Sequence, residues 1–220
     1  MTEFITLNDE TIGYLGKVVL QGISLKINVG ERVALVGESG AGKSTLLRTI
    51  YERQNAESAL IPQDLGLVHA LSVFHNVYMG RLHLRSVWRN LRNLLRPATA
   101  ELKAVRDVLT RLRLEDELRS LVGELSGGQQ QRTAVGRALY HPGDALIADE
   151  PVSAVDEHQA HDILRHIQES KDTTILAMHD RALAIRYSDR LIGVKDGRIA
   201  LDEPAAGMQP SDLDDLYQTA

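Results

Sequence analysis

The stretch Val33-Ala34-Leu35-Val36-Gly37-Glu38-Ser39-Gly40-Ala41-Gly42-Lys43-Ser44 decides the fold of this chain. Its four leading apolar residues predict a short strand that is buried on both faces of a sheet. The next eight follow the pattern Gly-x4-Gly-Lys-Ser, in which glycines let backbone amides approach phosphate groups. In this context Lys43 reaches the outer phosphates and Ser44 can ligate magnesium. A nucleotide site is therefore predicted here and extends to Thr45; the alternative is a glycine-rich turn with a solvated lysine.

Two further apolar runs, Ala145 to Ala148 and Thr174 to Met178, predict more strands of a mainly parallel sheet. Helices are expected after the three strands, at Lys43 to about Arg53, about Glu157 to Glu169 and about Asp180 to Tyr187. Such an alternation of strands and helices is typical of the α/β class.

Antiparallel pairing is expected at both ends of the chain. Glu3 to Leu7 and Ile23 to Ile27 are predicted strands, and the second alternates apolar and polar residues as a half-exposed strand does. Asp196-Gly197 lies between two short apolar runs, which predicts a hairpin that closes the fold.

Residues 71–122 show helical periodicity and no strand pattern, with Pro97 as a break and Thr99 as an expected helix cap. This segment is predicted to form a helical lobe inserted into the sheet. Arg85, Arg89, Arg92 and Arg96 recur within it at helical spacing. They form either a solvated cationic face or a contact with a membrane partner's helices or with anionic lipid headgroups.

Two acids, Asp149 and Glu150, follow the apolar run that starts at Ala145. Ligands of open parallel sheets bind at the carboxyl ends of the strands, so these acids are expected opposite the phosphate loop. There Asp149 would help to hold magnesium and Glu150 would polarise the attacking water. Alternatively, both acids merely cap the next helix.

The segment Leu125-Ser126-Gly127-Gly128-Gln129-Gln130-Gln131-Arg132 carries a second phosphate-binding pattern. Ser126 with Gln129 predicts a capping box, and the two glycines between them leave the amides of a helix N-terminus accessible to an anion. Taken alone, the pattern indicates only a well-capped helix.

Together these motifs resemble the ATP-binding-cassette (ABC) ATPases, the motor subunits of ABC transporters, from Tyr14 to about Leu201. The resemblance implies a P-loop NTPase core of mainly parallel sheet with a small antiparallel β lobe and an inserted helical lobe. Residues 1–220 would form one ABC ATPase domain, with the helical subdomain at about 71–125 inserted in a RecA-like core.

The resemblance also implies roles for single residues. Tyr14, 29 residues before Lys43, would stack on adenine, unless it is a buried core tyrosine. Gln63 would contact magnesium and the attacking water, or be a solvated loop residue. Asp156, in Ser153-Ala154-Val155-Asp156, would cross a dimer interface, and it would also form a capping box with Gln159. His179 would contact the γ-phosphate, although a lone histidine at a strand end is usually structural. The signature Ser126, Gly127, Gly128 and Gln129 would grip ATP held by a second chain.

The function implied is ATP hydrolysis that drives a transporter. ATP and Mg²⁺ are the expected cofactors. The expected partners are a second copy or a homologous ATPase subunit, transmembrane permease subunits and, indirectly, a substrate-binding protein. Several segments, including residues 71–82, 150–152 and 186–198, look like the ATPase subunit of phosphonate importers. The alternatives are a soluble ABC ATPase without transport, or an accessory protein of phosphonate metabolism.

The composition of the chain argues against several structural and functional classes. The chain has no cysteine, which excludes a disulfide framework, and its net charge of -5 argues against general affinity for nucleic acid. No run of 18 apolar residues occurs in it, and its first residues lack the basic and apolar pattern of a secretion signal, so neither a membrane span nor secretion is expected. The resemblance to transporter motor subunits implies a cytoplasmic protein that is peripheral on the cytoplasmic face of the inner or plasma membrane. Only 19 residues separate Lys43 from Gln63, about half the usual family distance, so the antiparallel lobe should be small.

Overall fold

The structure, a computed structural model, describes residues 2–14, 16–54 and 57–217, with Tyr14 described by its backbone only. Within these residues one sheet contains β3 (Arg32–Val36), β4 (Ala59–Ile61), β5 (Ala145–Asp149), β6 (Thr173–Ala177), β7 (Arg190–Lys195) and β8 (Arg198–Pro204). The strand order is β4-β5-β6-β3-β7-β8. All neighbours are parallel except β7 and β8. The mainly parallel sheet and its closing hairpin are confirmed.

A second sheet pairs β1 (Glu3–Tyr14) with β2 (Lys17–Asn28) in antiparallel register. Ile23, Leu25 and Ile27 are buried while the residues between them are exposed, as the alternating pattern predicts. Both strands are longer than predicted, because irregular pairing continues through the polar residues after Leu7. The small antiparallel lobe is confirmed as a two-stranded sheet in the described part of the chain.

The chain divides into two compact units, and the first comprises the residues up to Gln63, Asp144–Pro151 and those from Lys171 onward. It contains both sheets, α1 (Lys43–Arg53) and α7 (Arg181–Arg186). The apolar side chains of β2, β3 and α1 form its core together with Ile147, Ile175 and Ile192. Because the central strands are buried and rigid, the loops at their carboxyl ends are held in fixed positions.

The second unit comprises Asp64–Gly143 and Val152–Ser170. Its helices are α2 (Val73–Tyr78), α3 (Val87–Leu95), α4 (Thr99–Arg111), α5 (Gly127–Tyr140) and α6 (Glu157–Ser170). Phe74, Val77, Leu109 and Tyr140 lie in its core. The helical segment predicted at about 71–125 lies inside this unit, which also takes in α5 and α6. The assignment of the whole chain to one domain stays a prediction.

The expected cap of α4 by Thr99 is wrong. Ala98 occupies the N-cap position, its side chain offers no acceptor, and Thr99 is the first helical residue. The Ala98 N–H donates to Asn93 Oδ1 at 2.9 Å. This hydrogen bond fixes the backbone one residue earlier than the capping pattern indicates, so the helix starts before Thr99 can act as its cap.

None of the described helices combines the length and the apolarity that a bilayer span requires.

Candidate functional site

The phosphate loop follows β3 and leads into α1. Its glycines Gly37, Gly40 and Gly42 have positive φ angles of 139°, 83° and 113°, which L side chains rarely adopt. A Cβ on Gly37 would lie 2.1 Å from the carbonyl oxygen of Val194, and a Cβ on Gly42 would lie 2.5 Å from Leu20 Cδ2. The backbone contact therefore excludes a side chain on Gly37, whereas a side chain on Gly42 would have to displace the end of Leu20.

A cavity of about 660 Å³ opens above this loop, within the range of small-molecule sites. Glu38 to Thr45 form one side. Gln63 after β4, Asp149 and Glu150 at the end of β5, and His179 after β6 line it as well. These residues come together because β4, β5 and β6 run parallel to β3, so their carboxyl ends meet at one edge of the sheet. The structure thus brings residues predicted from separate motifs to one cavity.

Lys43 is buried and points back toward its own loop. Its Nζ donates to the carbonyl oxygens of Gly37 at 2.7 Å and Glu38 at 2.8 Å. Burial lowers the pKa of Lys43, and the negative charges of Glu150 and Asp149 oppose that shift. A phosphate oxygen entering the cavity would exchange for these carbonyls and would compensate the buried ammonium more fully.

Glu150 and His179 contact each other at the cavity, with 2.7 Å between Glu150 Oε1 and His179 Nε2. The Glu150 N–H donates to the carbonyl oxygen of Ala177 at 3.0 Å, and its φ angle is +53°. Such a backbone conformation costs of order 1–3 kcal/mol for a residue other than glycine. The strained backbone directs a carboxylate, oriented by an imidazole, toward the space above the phosphate loop.

The oxygen donors of this cavity suit a divalent cation. Ser44 offers a hydroxyl, Gln63 an amide oxygen and Asp149 a carboxylate that is 6% exposed. Magnesium prefers oxygen ligands and is usually bound through one or two carboxylates together with substrate phosphates. The residues present therefore fit Mg²⁺.

Several residues of the cavity carry no motif that sequence reasoning could use. Lys17 to Val19 on β2, the turn Lys195 to Gly197, and Leu216 line it. The turn was predicted only as a hairpin, and its Gly197 carbonyl accepts a hydrogen bond from the Gln21 N–H at 2.8 Å. Tyr14, the predicted adenine-stacking residue, ends β1, but its side chain lies outside the described residues.

Tyr217 is a further residue that the sequence did not indicate. It ends the 3-10 helix Pro210–Tyr217, and its hydroxyl accepts a hydrogen bond from the Gly37 N–H at 3.1 Å. The guanidinium of Arg181 lies 4.0 Å from the centre of the Tyr217 ring. Lys195 Nζ donates to the carbonyl oxygen of Asp215 at 2.7 Å. This C-terminal segment therefore contacts both the phosphate loop and the helix that follows His179.

The signature segment lies in the second unit and begins α5. Ser126 Oγ accepts from the Gln129 N–H at 3.4 Å, and Gln129 Oε1 accepts from the Ser126 N–H at 2.9 Å. The predicted capping box is confirmed. A Cβ on Gly128 would lie 3.0 Å from the carbonyl oxygen of Ala154, so the absence of a side chain there lets the two segments approach closely.

Gln131 joins α5 to the segment that precedes α6. Its side chain is 1% exposed, accepts from the Ala154 N–H at 2.7 Å and donates to Ser153 Oγ at 3.2 Å. Asp156 Oδ1 accepts from the Gln159 N–H at 2.9 Å, which confirms the helix-capping half of the predicted capping box. The Gln159 side-chain amide instead donates to Asp156 Oδ2. The hydrogen bond from the Gln159 backbone N–H is the main cause of the lowered pKa of Asp156. Gln131 thus hydrogen-bonds α5, which begins with the signature, to the segment that leads to Asp156.

A phosphate loop at the end of a central parallel strand, with an acidic pair on a neighbouring strand, defines the class of P-loop nucleoside triphosphatases. The profile of the ABC transporter family matches residues 20–153. Phosphonates import ATP-binding protein PhnC 1 of Pseudomonas syringae pv. tomato is 37% identical, over 92% of this chain and 86% of the relative. PhnC 2 of Haloarcula marismortui is 31% identical, over 92% and 85%.

Solved structures agree with these sequence matches. The dimeric structure of MJ0796, a bacterial ABC transporter cassette, has a TM-score of 0.79 at 25% identity, over 92% of this chain and 99% of that one. A post-hydrolysis dimer of the same cassette, bound to ADP and Pi, has a TM-score of 0.78 with the same coverage. This chain belongs to the ABC transporter family. It is an ATP-binding ATPase cassette, as the sequence resemblance implied.

Proposed function

We propose that this chain is the ATP-hydrolysing motor subunit of an importer of phosphonate or a related anion. The observation that carries the proposal is the paired Glu150 and His179 beside the phosphate loop in one cavity. Relatives at 31% and 37% identity whose names specify phosphonate import support the choice of cargo.

Hydrolysis follows from the chemistry of this cavity. The loop amides and Lys43 hold the β- and γ-phosphates, and Glu150 accepts a proton from the attacking water. The water oxygen bonds to the γ-phosphorus as the bond to the β,γ-bridging oxygen breaks, so ADP and phosphate leave. His179 orients the Glu150 carboxylate and contacts the γ-phosphate. Ser44, Gln63 and Asp149 would hold Mg²⁺, which supplies charge neutralisation when bound.

Assembly completes the site. Two copies, or this chain and a homologous subunit, close around two ATP molecules, so that Ser126 to Gln129 of one copy grip the γ-phosphate in the loop of the other. Asp156 lies at the interface between them. Closure drives permease subunits, and the chain sits on the cytoplasmic face of the membrane. A substrate-binding protein delivers the cargo to the permease and affects this chain only indirectly.

The test is a reconstituted complex of this chain with its permease. We expect its ATPase rate to rise when a phosphonate-loaded binding protein is added. The same complex with Glu150→Gln tests the role of the carboxylate. Its ATPase rate should fall by about 100-fold or more while ATP still binds, because only the water-activating carboxylate is lost. Near-native hydrolysis by this variant would contradict the role of Glu150.

The remaining outcomes separate the cargo from the motor. Stimulation by an amino-acid or sugar receptor would reject phosphonate but keep the motor role. A chain that hydrolyses ATP yet never co-purifies with a membrane protein would favour the alternative, an ABC ATPase without transport.

A further inference from the structure

Helix α3 attaches to its own unit through a polar side. Asn93 is completely buried, where its amide donates to the Tyr78 hydroxyl at 2.8 Å and its Oδ1 accepts from the Ala98 N–H at 2.9 Å. Asn90 accepts from the same Tyr78 hydroxyl at 3.0 Å and donates to the Leu82 carbonyl oxygen at 3.0 Å. Hydrogen bonds from asparagines therefore occupy the inner side of the helix, where a surface helix normally packs apolar residues.

The outward side of the same helix is apolar. Trp88 is 81% exposed, Leu95 79%, Val87 78%, Leu91 49% and Leu94 46%. At 3.6 residues per turn these five side chains form one stripe about 120° wide, which we call the α3 stripe. The helix is thus inverted relative to an ordinary surface helix. Exposed apolar patches of this kind mark interaction sites.

Positive charge borders the α3 stripe. Residues 81–100 contain five arginines and neither Asp nor Glu. Arg85 and Arg89 pair with Glu101 at 3.2 and 3.0 Å, so their charges are neutralised in part within the unit. Arg92 and Arg96 follow the stripe around the helix, and no carboxylate lies within 4.0 Å of either among the described residues. Their charges are available to an external anionic surface.

We propose that the α3 stripe lies in the headgroup region of an anionic lipid bilayer, with Arg92 and Arg96 on lipid phosphates. An interfacial helix combines Trp and Leu on one face with basic residues beside them, and binds more tightly as negative lipid is added. Residues 81–100 contain no acidic residue, so this segment offers only positive charge to a negatively charged lipid surface. This lipid contact does not depend on the proposed motor function. A chain that hydrolyses ATP without driving transport would bind lipid equally well.

The sequence supplies its own probe, because Trp88 is the single tryptophan of the chain. The purified full chain is mixed with vesicles of phosphatidylcholine, with or without phosphatidylglycerol. We expect Trp88 emission to shift to shorter wavelength, and the chain to float with the vesicles, only when phosphatidylglycerol is present. Added salt should weaken the binding several-fold, because it screens exposed charges.

Paired variants separate the apolar and charged contributions. Leu91→Gln with Leu95→Gln keeps the probe and should abolish both the shift and flotation. Arg92→Gln with Arg96→Gln should remove the preference for phosphatidylglycerol. Val29→Gln, at a residue 52% exposed in the other unit, should leave vesicle binding unchanged. The ATPase rate of the isolated chain should be the same in all variants, which also verifies that they fold.

Three results would overturn the proposal. Unchanged Trp88 emission without flotation on phosphatidylglycerol vesicles would exclude lipid binding, and a shift that appears only with detergent-solubilised permease would assign the stripe to a protein partner. Equal flotation of the Leu91→Gln, Leu95→Gln variant would place the lipid contact elsewhere on the chain.

Discussion

Gly37 shows how one residue of the phosphate loop depends on distant parts of the chain. The carbonyl of Val194 leaves no room for a side chain on it, and its N–H is bound by the Tyr217 hydroxyl. The Gly37 carbonyl in turn accepts from Lys43. A single glycine therefore connects β7, the C-terminal segment and the phosphate-binding lysine.

We predict that Tyr217→Phe weakens ATP binding without slowing hydrolysis at saturation. The substitution removes one hydrogen bond to the loop, worth about 1 kcal/mol, so KM for ATP should rise about fivefold. The value of kcat should hold, because Glu150 and His179 are untouched. Steady-state kinetics would measure KM and kcat separately. Tyr187→Phe, outside the cavity, is the matched control. Equal KM values for Tyr217→Phe and wild type would show that the hydroxyl does not order the loop.

At the scale of elements, Glu101 holds three helical segments together. Its buried carboxylate accepts from the Tyr140 hydroxyl at 2.6 Å and pairs with Arg85 and Arg89. Burial alone would raise the pKa of Glu101, but the Tyr140 hydrogen bond and the two arginines outweigh it and lower the pKa. Burial and the same hydrogen bond raise the pKa of Tyr140. The ionised carboxylate thus links α4 to α5 and to the N-terminal end of α3.

We predict that Glu101→Gln destabilises the chain by about 2 kcal/mol at pH 7, the scale of a hydrogen bond to a charged group. The loss is smaller than for a fully buried ion pair, because the Arg85 and Arg89 side chains are 28% and 44% exposed. The carboxyl has a lower pKa folded than unfolded, so its stabilisation is full above the unfolded value of 4.5 and disappears as pH falls through the folded value. Urea unfolding of the variant and the wild type should be measured at several pH values. The difference between their free energies of unfolding should vanish only at acid pH.

Asp107→Asn is the matched control on the same helix, because it removes an exposed pair with Lys103. Exposed pairs contribute about 0.5 kcal/mol, so this variant should differ little from wild type at any pH. A Glu101→Gln variant that unfolds like Asp107→Asn would show that the buried carboxylate is dispensable.

At the scale of the whole molecule, the phosphate loop and the signature belong to different compact units. The proposed assembly uses the loop of one copy with the signature of another. We predict that Ser126→Arg and Lys43→Ala chains, each inactive alone, regain part of the ATPase activity when mixed. Each heterodimer then holds one site with both an intact loop and an intact signature. No recovery in mixtures where heterodimers are demonstrated by crosslinking would contradict the shared site.

Much of the site could be predicted from sequence because its parts are local. A glycine spacing, a strand-end acid and a strand-end histidine each occupy a few consecutive residues, and parallel strands bring their carboxyl ends to one edge. The contact between Glu150 and His179 follows from that rule, although its geometry does not. Tyr217 could not be found, since nothing near it in sequence indicates a phosphate loop 180 residues away.

The sequence by itself determined the elements of this protein: the buried strands, the phosphate loop, the Ser126 capping box and the helical segment between them. Periodicity and capping act within a few residues, so they can be recognised without the fold. Only the tertiary structure decided which faces those elements bury. The α3 stripe has the spacing of a core-facing surface, yet Asn90 and Asn93 bond inward to Tyr78 and turn the stripe out, because hydrogen bonding by buried polar groups depends on partners that packing alone supplies.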